Sequence, residues 1–172
     1  RVVARGDMPS LLHLEPRELQ DFGEMHEDHD HEHGKVIDPH LWLEPGNALL
    51  WLDVIAGRLE VADPVNKDVY RENLERARNE ISVTADTISA ELATLVDIEM
   101  IVTHDSTQYF EAAYGLNVIG AFTASEGQTT GARNLNALLS QLGPDTCVVE
   151  DFTHPSKITA SLPDGVKQVV ID

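Results

Sequence analysis

Ile98-Glu99-Met100-Ile101-Val102-Thr103-His104-Asp105 is a short apolar run that ends on a polar pair, and its reading decides the fold. Residues 98–103 are too few for a buried helix and predict a strand. Residues 105–114 predict a helix closed by Gly115 as its C-cap. The pattern then repeats. A second strand is expected over 116–122, a helix over 131–142, a third strand over 146–150, a short helix over 155–162 and a fourth strand over 166–171. Strands that read as continuous apolar runs and alternate with helices indicate an α/β fold, with a parallel sheet covered on both faces. Ligands of such sheets collect beyond the carboxyl ends of the strands. His104 follows the first strand and Asp172 the fourth, so both are expected on one rim.

Upstream, Asp63-Pro64 is a helix start signal, with Asp as N-cap and Pro at the first helical position. Apolar residues then recur at spacings of three and four: Val69/Tyr70, Leu74, Ala77, Ile81, Ala85, Ile88, Leu92 and Leu95. With no internal Pro or Gly to about Val96, this predicts one helix of roughly 30 residues, about 45 Å long at 1.5 Å per residue. So long a helix reads as a spine between lobes. Another helix, opened by Pro45, is expected to run to about Ala62. The division that follows is 1–62 as the C-terminal part of a first lobe, 63–97 as a linker helix, and 98–172 as a second, nearly complete β/α lobe. The first lobe is incomplete: residues 1–23 offer only a β-like run at Val2-Val3-Ala4, the apolar pair Leu11-Leu12 and a turn at Glu15-Pro16. A start at Arg1 and a stop at Asp172, directly after a strand expected to be buried, read as a piece of a longer protein.

Apolar residues make up 42% of the 172, enough for one good core or two small lobes. The balance of 12 basic against 30 acidic residues leaves a formal charge of −18. That charge repels phosphate backbones and anionic membranes, which argues against nucleic-acid binding, and attracts cations. No apolar run approaches membrane-spanning length. The single cysteine, Cys147, sits in the apolar run Thr146-Cys147-Val148-Val149. It reads either as a small core residue or as half of a disulfide with a partner elsewhere, and it excludes a zinc site built on cysteines.

Four of the eight histidines fall in one acidic octet, His26-Glu27-Asp28-His29-Asp30-His31-Glu32-His33. Nearly every position there is polar, so 24–35 is expected to be a solvated loop. Imidazoles interleaved with carboxylates are ligands that divalent transition metals prefer. His40 follows in Asp38-Pro39-His40-Leu41-Trp42-Leu43, where Pro39 fixes the backbone and Trp42 is expected to anchor the loop in an apolar pocket. Asp38 is placed to accept the proton of the histidine's other ring nitrogen, which fixes a ligating tautomer. His40 also reads as a buried histidine bonded to a carbonyl, and Asp105 as the N-cap of the helix after His104. His13 and His154 read as surface histidines. Glu126 and Glu150 stand near the rim as lesser candidates.

In this order the motifs closely resemble one family. The set is the His/Asp-rich loop, Asp38-Pro39-His40-Leu41-Trp42-Leu43-Glu44-Pro45-Gly46-Asn47-Ala48, Ala62-Asp63-Pro64 leading into Tyr70 and Asn73, and His104-Asp105 with Tyr109-Phe110 and Tyr114-Gly115-Leu116. Over nearly the whole chain it resembles the zinc-specific solute-binding proteins of bacterial ABC importers, the ZnuA-type periplasmic proteins of the metal-binding cluster. The resemblance implies two β/α lobes joined by one long helix, with zinc held between them and passed to an inner-membrane ABC permease. It implies His40 as a zinc ligand from the first lobe and His104 as one from the second. Manganese-selective relatives tend to carry Glu at the latter position. Asp172 falls where a late aspartate completes or approaches the shell, and His26, His29, His31 and His33 would capture or sense zinc as an accessory site. A second-lobe disulfide of some members would suit Cys147.

The departures are as informative. The family's first metal histidine lies well upstream of the Asp-Pro-His motif, and His13 is too close to the loop to replace it. A tetrahedral site needs three or four ligands, so zinc binding at least tenfold weaker than in a complete protein is expected, with self-association through exposed lobe surface. The competing reading is a metal-dependent hydrolase in which His40 and His104-Asp105 hold a water-activating metal, with Glu126 or Glu150 as acid/base.

Overall fold

A computed structural model describes residues 8–17, 36–124, 131–153 and 155–171, Ser161 in its backbone only. The β-like run 2–4, the histidine octet, Glu126, His154 and Asp172 lie outside the described residues.

After a 3-10 turn at Leu41–Leu43, helix α1 spans Pro45–Ala62, the bounds its sequence predicts. Pro45 stands in the first turn, where its missing N–H leaves no bond unmade, and the Glu44 side chain accepts from the Asn47 amide at 2.5 Å. The expected 30-residue helix is broken at its start. Pro64–Asn66 is a 3-10 turn and helix α2 spans Lys67–Leu92. The Asp63 carboxylate is not a regular N-cap. It accepts instead from the Asn66 amide at 2.7 Å and the Tyr70 hydroxyl at 2.9 Å, which ties the corner into a tighter turn. The predicted apolar series on α2 is the half-buried face, with Tyr70, Leu74, Ala77, Ile81, Ala85, Ile88 and Leu92 all partly covered. Yet α2 buries no residue fully. It lies antiparallel on α1, since Arg71 meets Glu60 at 3.2 Å while Arg78, further along, meets Asp53.

The rest of the described chain alternates: β1 (Glu99–Val102), α3 (Gln108–Tyr114), β2 (Asn117–Ala121), α4 (Ala132–Gln141), β3 (Cys147–Asp151) and β4 (Lys167–Ile171). All pairings are parallel and the order is β2-β1-β3-β4, which is the α/β fold expected. Gly115 closes α3 in the left-handed conformation, φ 67°, as its C-cap. Ile101, Phe122, Leu138 and Val148 form the buried core. Helix α4 lies so close to β2 that a Cβ on Gly120 would stand 2.2 Å from Leu138 Cδ2. Cys147 is a free thiol, and burial pushes its pKa up.

Two expectations fail at the far edge. The helix over 155–162 is only a 3-10 turn, Thr159–Ser161. Glu150 takes hold of this segment, accepting from the Ser156 amide at 3.0 Å and the Thr159 hydroxyl at 3.3 Å, bonds that compete with a regular helix. β4 is exposed along its whole length, not buried. It is an edge strand, paired on one side only by β3, and Val169 and Val170 face solvent.

Candidate metal centre

The centre is built where the first segment of the chain meets the carboxyl end of the sheet. In the order β2-β1-β3-β4 the connections run outward in opposite directions from β1 and β3, so a crevice opens beyond the ends of these two strands. His104 follows β1 there, and Asp151 ends β3. His104 Nδ1 lies 3.5 Å from Asp151 Oδ2.

His40 approaches from the other side. Asp38, fully buried, accepts from the His40 backbone amide at 2.8 Å and meets His40 Nδ1 at 2.8 Å. The Gln108 amide is assigned with its nitrogen toward Asp38 Oδ2, 3.1 Å away, because the opposite orientation sets oxygen against oxygen. A carboxylate on Nδ1 draws the ring proton there and makes Nε2 the ligating nitrogen. The His40 and His104 rings meet edge to face, with centroids 5.7 Å apart. Both side chains are mostly covered, at 12% and 11% exposure.

Trp42 does not anchor the turn in an apolar pocket. It is 56% exposed, and its indole leans on the His40 ring at a centroid distance of 5.4 Å. The anchors are polar instead. Asn47, buried, accepts from the Leu12 amide at 2.8 Å and donates to the Leu12 and Leu41 carbonyls. Tyr109, also buried, accepts from the Leu14 amide at 2.8 Å, and burial raises its phenol pKa.

Asp105 is not the N-cap of α3; that position is Thr107. The Asp105 carboxylate is fully buried and pairs with Arg17, which also reaches Glu111 Oε2 at 2.7 Å. Burial alone would lower the Arg17 pKa, but the hydrogen bonds to Asp105 and Glu111 prevail and it is raised. Neither Arg17 nor Asp151 was legible as a site residue. Arg17 meets partners 88 and 94 residues away, with no local signal. Asp151 did carry one, as the acid at a strand's carboxyl end, but the rim rule applied one residue too early selects Glu150. Glu150 instead accepts from Gln168 Nε2 at 2.5 Å besides Ser156 and Thr159, so it is no acid/base beside the histidines.

His13 is exposed, as a surface histidine should be. Among the described residues no three His, Cys, Asp or Glu side chains form a group that could hold a metal ion. The structure thus brings together two imidazoles with a carboxylate at each Nδ1. That donor set suits zinc but leaves its coordination to be completed.

The family model for ZnuA, the periplasmic component A of a zinc-uptake complex, matches residues 4–164. The high-affinity zinc uptake system protein ZnuA of Paracoccus denitrificans is 31% identical over 130 residues, covering 74% of this chain and 40% of that protein. A crystal structure of ZnuA superposes with a TM-score of 0.69 at 29% identity, over 80% of this chain and 55% of that one. A ZnuA deletion mutant with zinc bound superposes at 0.67 and 28%, over 80% and 54%. The chain spans about two fifths of the length of the curated relatives it matches. The matched family is described as a zinc-uptake component and not as a hydrolase, which speaks against the hydrolase alternative already weakened at Glu150. No helix among the described residues is long and apolar enough to cross a membrane.

Proposed function

Because this chain belongs to the ZnuA family of periplasmic zinc-uptake components, we propose that it is part of a protein that captures zinc in the periplasm and delivers it to an ABC permease. The observation that carries the reading is the meeting of His40 and His104, each with an aspartate at Nδ1. In this reading the two histidines are ligands and Asp172 is a third. Residues 1–62 belong to a first lobe, 63–97 to the linker helix and 98–172 to the second lobe. His26, His29, His31 and His33 form an accessory, weaker zinc site. The exposed faces of α2 and β4 are the surfaces for self-association, which light scattering reads as mass above the monomer.

Zinc is cargo here, so the chain's own residues have two tasks. They must present neutral imidazole nitrogens to the ion and let it go intact at the permease. The −18 charge raises the local concentration of cations around the site. No nucleophile or general base is required.

The test is a zinc titration against a competing chelator on the intact chain, His40→Ala, His104→Ala and a variant with all four loop histidines changed to Ala. Each single variant is expected to remove the tighter site, while the loop variant loses only weaker zinc. The intact chain is expected to bind at least tenfold more weakly than a complete family member. Tight binding that survives both His40→Ala and His104→Ala would sink the reading.

A further inference from the structure

The whole donor arrangement repeats itself. On one side a carboxylate holds His40 at Nδ1; on the other a second carboxylate stands at His104 Nδ1. We propose that Asp151 is a positioning residue for zinc binding, setting the tautomer and orientation of His104 as Asp38 does for His40. This rests on the zinc-site reading above and deepens it, giving a task to the aspartate that stands at His104 Nδ1.

Three observations support the assignment. First, Asp151 is itself oriented. Its Oδ1 accepts from the Thr153 amide at 2.7 Å and the Thr153 hydroxyl at 2.6 Å, which leaves Oδ2 as the oxygen toward His104. Second, its backbone is pinned, because its amide donates to Thr103 Oγ1 at 3.1 Å on the residue directly before His104. Third, the strand order places it across the crevice from β1, so its approach to His104 follows from topology and not from a flexible loop. A carboxylate on the far nitrogen of a ligating imidazole raises its basicity and fixes its ring, and losing such a partner typically weakens metal binding by about 10–100-fold.

The experiment reads the histidine tautomer directly. Imidazole proton–nitrogen correlation spectra of the zinc-free full chain are recorded for the unaltered chain, Asp151→Ala and Asp151→Asn, with chelator-competition titrations of zinc on the same samples. The unaltered chain is expected to show His104 protonated at Nδ1. Asp151→Ala is expected to move His104 toward the Nε2-protonated form and to weaken zinc by about tenfold or more. Asp151→Asn keeps an oxygen for Thr153 but turns an NH2 donor toward the ring, so it is expected to fold normally and to move His104 toward the Nε2-protonated form as Asp151→Ala does. The His40 signals should not move in either variant. A His104 tautomer unchanged in Asp151→Ala overturns the proposal, as does a shifted tautomer with zinc affinity within twofold. Failure of the zinc-site reading is distinguishable, because it appears as unchanged affinity in His40→Ala and His104→Ala with Asp151 intact.

Discussion

The two candidate ligands are secured in opposite ways. At His40 the ring is tied tightly, with Asp38 fully buried, bonded at 2.8 Å to both the backbone amide and the ring. At His104 the ring is held more loosely, 3.5 Å from an aspartate whose side chain is 20% exposed. Its backbone, however, is locked into the sheet: Thr103 donates to the Val149 carbonyl at 2.9 Å, and Asp105 to that of Thr123 at 2.8 Å. The comparison teaches that one histidine is preorganised as a side chain and the other as a place in the fold.

The largest effect is expected where the fold-anchored side is broken. Arg17→Ala leaves Asp105 and Glu111 as two carboxylates, 0% and 7% exposed, without their cation. Stranding buried charges in this way destabilises by about 3–5 kcal/mol. Urea unfolding should show that loss, and zinc affinity should fall with it because the end of β1 loosens. A variant as stable as the unaltered chain would mean that Arg17 covers the carboxylates without securing them.

Asp38→Ala attacks the other side and should act differently. It removes two charge-assisted bonds to His40 and the Gln108 contact, each worth about 1.5–3 kcal/mol of stability before water entering the vacated space offsets part of the loss. Zinc should weaken by about 10–100-fold. The sharpening lies in the ratio of the two effects. Per unit of stability lost, Asp38→Ala should reduce zinc binding more than Arg17→Ala, because it frees the ring itself. Equal ratios in chelator competition and urea unfolding would erase the distinction between the two anchors.

The sequence carried much of this, and the failures share a cause. The α/β class, the bounds of α1, the half-buried series on α2, the Gly115 cap and the position of His104 after β1 rest on periodicity and local signals, whereas His40 facing His104 was only what the family resemblance implied. Asp38 was readable because its partner is two residues away. Arg17 and Asp105 act on partners far along the chain, which no spacing rule reaches, and Asp151 was missed by one residue at the end of its strand. Trp42 and β4 failed for a related reason: apolar composition predicts a wish to be buried, but the neighbours that would cover them are decided by the tertiary fold. The 3-10 turns at Pro64–Asn66 and Thr159–Ser161 arose where a side chain, Asp63 or Glu150, captured polar groups of the segment after it.

The smallest effect is expected at that Asp63 corner, remote in function from both histidines. Bonds from Asn66 and then Tyr70 hold the Asp63 carboxyl below its ordinary value of 3.8. A folded-state value below the unfolded one means stability that is present above the unfolded value and lost as pH falls through the folded one. Asp63→Asn cannot be protonated in that range, so its helical circular dichroism should decline less steeply below pH 3.8 than that of the unaltered chain. At neutral pH the variant should be slightly less stable, and the effect should shrink in high salt because the group is exposed. Zinc affinity should stay unchanged, since neither the His40 turn nor the end of β1 contacts this carboxylate. Should zinc weaken along with the acid limb, the α1–α2 corner would have to transmit to the site. The two histidines would then be held by the helix pair as well as by their own aspartates.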